Sequence, residues 1–170
     1  MKKILRNIYL IGYMGTGKTT VASGIANLLG MTAIDMDSAI EEKEDMTIND
    51  IFTEKGEKYF RDAETQTLQS LEHKKNIVVS CGGGIVLKEE NTRYLKKFGK
   101  VVLLNSTAET IYDRVKICDK RPLLNNNMSI DFIENMMKNR FEKYVQTADI
   151  IINNEKKSVD DVVKEIVDKL

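Results

Sequence analysis

Gly12-Tyr-Met-Gly-Thr-Gly-Lys-Thr19 is the stretch of this 170-residue chain that says most about its fold. It fits the pattern GxxxxGK[ST], it follows the apolar run Ile8-Tyr-Leu-Ile11, and its lysine opens a segment with helical character. The glycines let such a loop curl, so that backbone N–H groups point inwards and form a cradle for phosphate groups. The N-terminus of the following helix adds its positive end. The stretch therefore predicts a nucleotide-binding P-loop between a strand and a helix.

Four apolar runs predict buried strands. They are near-continuous blocks rather than alternating patterns, which is typical of strands in a parallel sheet that is covered on both faces. A fifth, weaker candidate comes directly before Asp35. The runs are Ile8-Tyr-Leu-Ile11, Ile77-Val-Val79, Val101-Val-Leu-Leu104 and Ile150-Ile-Ile152, and the weaker candidate is Ala33-Ile34.

Between these runs the apolar residues recur with the period of a helix. The last segment carries a single apolar stripe that ends at Leu170, and Ser158 with Asp161 forms a capping-box start for it. Ser106 with Glu109 offers a similar start for a helix after the third strand run. Strands that alternate with helices predict an α/β domain with a mainly parallel sheet.

Length and composition limit the class of protein. A chain of 170 residues suffices for one core and is short for two, so we interpret residues 1–170 as a single domain. The 26 basic and 26 acidic residues cancel, without the basic surplus of proteins that bind nucleic acid or acidic membranes. Two cysteines provide no disulfide framework, and no apolar run approaches the roughly 18 residues that span a bilayer. We expect a cytoplasmic monomer without a nucleic-acid or membrane partner.

The P-loop predicts part of the chemistry. Lys18 can reach the β- and γ-phosphates of a nucleotide, and the hydroxyl of Thr19 can ligate Mg²⁺. Guanine-binding switches usually carry an NKxD-like base reader, and the chain has none. The run that ends at Leu104 is followed by Asn105, not by the acidic residue that ATPases and motors place there. A P-loop kinase acting on a small molecule is the class that remains.

Two aspartates and three glycines follow predicted strands. Asp35-Met-Asp37 and Gly82-Gly-Gly84 should therefore lie at the edge where open α/β sheets bind ligands. In an extended segment the two carboxylates point to the same side, so one could support Mg²⁺ while the other accepts the proton of an attacking hydroxyl. Simpler alternatives stay open: the aspartates could cap a helix beginning at Ser38, and the glycines could form a plain tight turn.

Two arginines in predicted helices suit a carboxylate-bearing substrate. Guanidinium groups bind carboxylates in a two-point fork, which makes Arg61 and Arg140 candidates if both face the cleft. Taken singly, each is better explained as a solvated surface arginine.

Together these features resemble the shikimate kinases, from the P-loop almost to the C-terminus, and their order and spacing make the resemblance specific. The resemblance implies a nucleoside-monophosphate-kinase-like fold, three-layer α/β/α with a five-stranded parallel sheet. It also implies transfer of the ATP γ-phosphoryl group to the 3-hydroxyl of shikimate, in aromatic amino-acid biosynthesis. The matching segments are the P-loop to Thr20, Asp35-Met-Asp37, Asp50-Ile-Phe52, Gly56-Glu57, Phe60-Arg61, Glu64, Gly82-Gly-Gly84, Arg121-Pro-Leu-Leu124, and Arg140 with Tyr144.

The resemblance assigns the nucleotide side of the site as follows. Arg114 would lie against the adenine, and residues 153–157 stand where the family's adenine loop lies. Mg²⁺ would be held by Thr19 and, through water, by Asp35. The ATP phosphates would be bound by Gly15, Thr16, Gly17, Lys18, Thr19 and Thr20, with Arg121 reaching the transferring phosphate.

It assigns the acceptor side in the same way. Asp37 would bind the acceptor hydroxyl and act as the base, with Lys18 and Arg121 as the other catalytic residues. Shikimate would be held by Arg61, Arg140 and the amide of Gly83, in a pocket lined by Phe52, Phe60 and Glu64. The acceptor-binding segment would span about 36–64, and a lid that carries Arg121 would span about 116–128.

Two other functions stay open from the residues alone. Another small-molecule kinase of the same fold, for gluconate or a nucleoside monophosphate, would be expected to lack this combination of Phe60-Arg61, triple glycine and late arginine. A nucleotide-binding regulatory module would bind nucleotide without turnover on any acceptor.

Overall fold

The computed structural model describes residues 6–117 and 129–170, and its centre is one parallel sheet of five strands. The strands lie in the order β2-β3-β1-β4-β5, so that the strand leading into the P-loop is central. This arrangement confirms the predicted α/β fold and the five-stranded parallel sheet. The strands are β1 (Asn7–Ile11), β2 (Thr32–Asp35), β3 (Ile77–Ser80), β4 (Gly99–Asn105) and β5 (Ile150–Asn153).

Helices cover both faces of the sheet and make three layers. Ile8 and Leu10 of β1 point into a core with the first and last helices, whereas Tyr9 and Ile11 point into a core on the opposite face. The helices are α1 (Lys18–Leu29), α2 (Met36–Glu44), the short α3 (Ile48–Asp50), α4 (Gly56–Gln69), α5 (Glu89–Phe98), α6 (Ala108–Val115), α7 (Ile130–Thr147) and α8 (Val159–Lys169). A π-helical segment spans Ile51–Lys55, and a 3₁₀ turn spans Ile85–Leu87.

The prediction that the strand runs are covered on both faces is wrong for β5. Ile150 and Ile152 pack into the core beneath α8, but Ile151 is 47% exposed. β5 lies at the edge of the sheet, and only one of its faces is covered. A continuous apolar run therefore does not separate an edge strand from a central one.

Helix starts were predicted with mixed success. Ser158 caps α8 as predicted, since its hydroxyl accepts a hydrogen bond from the N–H of Asp161 at 3.1 Å. The predicted cap of α6 at Ser106 is wrong by one residue, because Thr107 accepts from the N–H of Thr110. Ser106 is buried, and its hydroxyl donates instead to Asn154 Oδ1.

The parallel topology brings the carboxyl ends of the strands to one edge, where the P-loop and the glycine triplet also lie. The predicted lid at about 116–128 is outside the described residues from position 118 onward, and so is Arg121. Within the described ranges, no helix combines the length and apolarity that crossing a membrane requires.

Candidate active site

The P-loop has the backbone that its glycines predict. Gly15 and Gly17 adopt left-handed φ angles of 76° and 87°, which glycine takes without steric cost. Lys18 opens α1, and its ammonium group donates to the carbonyl oxygens of Gly12 and Tyr13 at 2.8 and 2.9 Å. The lysine is buried, so its charge is held at the loop rather than in solvent.

Three oxygen-bearing side chains meet beside the P-loop. The hydroxyl of Thr19 donates to Asp35 Oδ2 at 2.6 Å and lies 3.2 Å from the hydroxyl of Ser80. Hard oxygen ligands of this kind suit Mg²⁺, which proteins usually bind through one or two carboxylates together with substrate phosphates and waters. Residues 6–117 and 129–170 contain no cluster of three or more acidic, histidine or cysteine side chains that would form a complete metal cage. The donor set therefore fits a metal held jointly with a nucleotide.

The structure changes the geometry expected for the aspartate pair. Asp35 ends β2 and caps α2 by accepting from the N–H of Ser38 at 3.0 Å, so the capping alternative is correct for this residue. Asp37 lies in the first turn of α2, not in an extended segment, and the argument from strand alternation is wrong. Both carboxylates nevertheless line the same cleft of about 290 Å³, together with the P-loop and the glycine triplet.

The glycine triplet forms the expected tight turn, in which the N–H of Ile85 donates to the carbonyl of Gly82 at 3.1 Å, and it is also a packing surface for charged side chains. A methyl group at Gly84 would lie 2.0 Å from Nη1 of Arg61. One at Gly82 would lie 2.4 Å from Oε1 of Glu64 and 3.2 Å from Oδ1 of Asp37. The missing Cβ atoms thus leave the space in which these charged groups come together.

Arg61 is held by two carboxylates of its own helix. Its Nη1 donates to Glu64 Oε2 at 2.7 Å, and its Nη2 donates to Glu57 at 3.1 Å. Glu64 is 1% exposed, and its Oε1 has no hydrogen-bond partner among the described residues. Burial raises the pKa of Glu64, although the Arg61 guanidinium opposes the rise. The same carboxylate interacts electrostatically with Asp37 and Arg140, so the four charged groups belong to one electrostatic cluster.

Arg140 contributes to this group of charged side chains from α7. It is 8% exposed, and its guanidinium lies over the ring of Tyr13 at 5.8 Å. It also interacts with Tyr144, whose hydroxyl donates to the carbonyl of Gly83 at 2.5 Å. Burial raises the pKa of Tyr144 to about 12, so this hydroxyl keeps its proton and remains a donor. Neither Arg140 nor the largely buried Arg61 is a solvated surface arginine.

A second pocket of about 280 Å³ opens on the other side of the P-loop. Arg114 lines both this pocket and the main cleft, and its Nη1 donates to the carbonyl of Gly15 at 3.1 Å. Apolar side chains from α1 and α8 form the floor, and Asn154 and Lys157 contribute from the loop after β5. A flat ring with polar edges suits such a mixed lining.

Comparisons with known proteins show the family to which this chain belongs. A family model described as "Shikimate kinase" matches residues 14–170. A shikimate kinase from Persephonella marina is 43% identical over 166 residues, which cover 98% of this chain and 99% of that relative. The chain belongs to the shikimate kinase family. A second shikimate kinase, from Sulfurihydrogenibium sp., is 41% identical over 98% of each chain.

A solved shikimate kinase shares the whole architecture. The structure of shikimate kinase from Acinetobacter baumannii in complex with shikimate has a TM-score of 0.94 and 36% identity. The similarity covers 97% of this chain and 92% of that one. The resemblance and the P-loop kinase fold predicted from the sequence are both confirmed.

Some contributors to the site were not predicted. Ser80 is the last residue of β3, so its position at the carboxyl edge of the sheet was a usable signal. The contact between Tyr13 and Arg140 gave no signal, because it joins residues 127 positions apart through the fold. Arg121 lies outside the described residues, and its role stays a prediction.

Proposed function

We propose that this chain phosphorylates the 3-hydroxyl of shikimate with ATP, giving shikimate 3-phosphate and ADP in aromatic amino-acid biosynthesis. One observation carries the proposal: Asp37 and Arg61 lie against glycines of the triplet beside the P-loop cleft, and Arg140 interacts with the buried Glu64 carboxylate that also holds Arg61. Two cations suit the carboxylate of the substrate, and a carboxylate suits its hydroxyl.

Arg61 and Arg140 would act by orientation. A carboxylate clamped at two points presents its hydroxyl in a fixed direction, and well-aligned systems gain up to roughly 7–11 kcal/mol from positioning. Glu64 and Glu57 already hold Arg61, and Tyr13 and Tyr144 contact Arg140. A clamp held in place before binding loses less side-chain entropy when the substrate arrives.

Asp37 would accept the proton of the attacking hydroxyl. It lines the same cleft as Lys18, which is the group placed to balance the charge that develops on the transferred phosphoryl. Thr19 and, through water, Asp35 would hold Mg²⁺, which would neutralise charge on the nucleotide phosphates. Arg121 would add positive charge from the lid, and Arg114 would lie against the adenine.

Other parts of the sequence-based interpretation stay predictions within this proposal. They are a single domain over residues 1–170, an acceptor-binding segment at about 36–64, and a cytoplasmic monomer acting without nucleic acid or membrane. Size-exclusion chromatography with light scattering tests the monomer directly.

An acceptor comparison tests the proposed function. ADP release is measured with Mg·ATP while shikimate, gluconate and AMP are offered in turn at equal concentrations. We expect turnover with shikimate and background rates with the other two, because only shikimate supplies a carboxylate together with a ring hydroxyl. Turnover on gluconate or AMP alone would assign the chain to another kinase, and nucleotide binding without turnover on any acceptor would favour a regulatory module.

A further inference from the structure

Asn154 joins the loop after β5 to the P-loop. Its Nδ2 donates to the carbonyl oxygen of Thr16 at 2.6 Å, and its Oδ1 accepts from the hydroxyl of Ser106. Its backbone N–H donates to Asn105 at the end of β4. The three residues of this network, Asn154, Thr16 and Ser106, are each at most 5% exposed. The amide therefore uses its donor and its acceptor on separate elements at the same time.

The residue after Asn154 extends the connection to α6. Glu155 accepts hydrogen bonds from the N–H of Thr107 at 2.6 Å and from the hydroxyl of Thr110 at 2.9 Å. The far end of α6 carries Arg114, which donates to Gly15 of the P-loop. The loop after β5 is thus bound to the P-loop twice, directly through Asn154 and indirectly through α6.

The Thr16 carbonyl lies in a part of the P-loop whose backbone has unusual dihedral angles. It is flanked by Gly15 and Gly17, both with left-handed φ angles, and the Thr16 side chain donates to the carbonyl of Tyr13 at 2.8 Å. Leaving a buried carbonyl oxygen without its hydrogen-bond donor costs free energy. Without the Asn154 side chain, the P-loop should therefore relax toward conformations that expose the Thr16 carbonyl to water. A loop that must reorder when nucleotide binds has a weaker affinity for it.

We propose that Asn154 is a positioning residue for the nucleotide: its side-chain amide fixes the P-loop backbone in the conformation whose N–H groups form the phosphate cradle. The proposal rests on the proposed function only in taking ATP as the nucleotide. It predicts that substitution of Asn154 changes the affinity for nucleotide. The affinity for the acceptor, which Arg61 and Arg140 would bind, should not change.

Isothermal titration of the free enzyme with ADP and, separately, with shikimate tests the proposal. We expect Asn154→Ala to raise the Kd of ADP about tenfold, the effect of one buried hydrogen bond, and to leave the Kd of shikimate within about twofold. Ser106→Ala keeps the bond to Thr16 and should raise the Kd of ADP by less than Asn154→Ala does. Asn154→Ser, whose hydroxyl is too short for the Thr16 carbonyl, is the second variant if the alanine chain does not fold, and the same loss is expected.

Asn7 provides a matched control. It is also a buried asparagine whose Nδ2 donates to a backbone carbonyl, that of Lys74 at 2.8 Å, but it begins β1 at the opposite edge of the sheet. Asn7→Ala should lower the thermal midpoint and leave the Kd of ADP unchanged. The proposal is overturned if Asn154→Ala binds ADP normally, if it weakens ADP and shikimate equally, or if Asn7→Ala reproduces the loss. Because ADP titration needs no turnover, a wild-type enzyme that fails to phosphorylate shikimate would refute the proposed function and leave this test intact.

Discussion

Gly84→Ala should displace Arg61 without touching the nucleotide site. Gly84 has a φ of −93°, which alanine adopts freely, so the substitution adds a methyl group and no backbone strain. That methyl group would stand 2.0 Å from Nη1 and 2.4 Å from Cζ of Arg61. The guanidinium is the flexible partner in this collision, and it must move away.

The size of the displacement sets the expected effect. To reach an ordinary contact of at least 3.4 Å, the guanidinium must shift by more than 1 Å, which lengthens its 2.7 Å hydrogen bond to Glu64 beyond a useful distance. A misplacement of about 1 Å at a positioning residue can cost on the order of 10²-fold in rate. We therefore expect kcat/KM for shikimate to fall on the order of 10²-fold, or about 2.7 kcal/mol, with the KM for ATP changed by less than about twofold.

The assay is steady-state ADP release with each substrate varied in turn, accompanied by thermal unfolding. Gly24→Ala is the matched control, because its methyl group also collides, at 2.7 Å from a Val163 methyl between α1 and α8, but far from the acceptor site. It should leave the shikimate parameters unchanged. Normal shikimate kinetics in a folded Gly84→Ala enzyme would refute the claim that the position of Arg61 determines acceptor binding.

Three further substitutions separate the roles of the acidic residues. Asp37→Asn should lower kcat on the order of 10²–10⁴-fold while ADP binds normally, as loss of a general base requires; near-normal turnover would remove Asp37 as the base. Asp35→Asn keeps a side chain that can cap α2 but loses the negative charge. The Mg²⁺ concentration for half-maximal activity should therefore rise about 10–100-fold, while the stability of the fold stays constant. An unchanged Mg²⁺ titration would exclude Asp35 from the metal site. Burial raises the pKa of Glu64, so between the ordinary pKa and the raised one the folded chain retains a proton that the unfolded chain has lost. Over that range the free energy of unfolding should fall by up to about 1.4 kcal/mol per pH unit as the pH rises. Urea unfolding at a series of pH values above the ordinary glutamate pKa should show a steeper loss of stability with rising pH in the wild type than in Glu64→Gln; equal slopes would contradict the assignment.

The elements of this fold could be predicted where local patterns are strong. The strand runs and the P-loop were placed correctly because a parallel sheet needs continuous apolar blocks and a phosphate cradle needs glycines. Local patterns do not report tertiary position, which is why the exposure of Ile151 on the edge strand was not foreseen. The cap of α6 moved from Ser106 to Thr107 because Ser106 has a buried partner, Asn154, 48 residues away.

The site residues also divide into those that local patterns could predict and those that depend on tertiary contacts. Asp35 and Asp37 were found from their position after a strand, although the helix that begins at Met36 overturned the geometry offered for them. The sequence identified Arg61 and Arg140 as candidates but could not say whether they were buried. For Arg61 that depends on Gly84, whose missing side chain makes room for the guanidinium, and for Arg140 it depends on contacts such as the one with the Tyr13 ring. Contacts of this kind arise only when the chain is folded.

The most direct test of the acceptor site pairs a substitution with a matching change in the ligand. The Kd of shikimate and of its methyl ester, which lacks the carboxylate charge, is measured for the wild type and for Arg140→Ala by titration. If Arg140 binds the carboxylate, the substitution should weaken shikimate binding by about tenfold or more and leave ester binding almost unchanged, so that the two effects are strongly non-additive. Equal losses for the acid and the ester would mean that Arg140 does not contact the carboxylate, and the account of the acceptor site would be wrong.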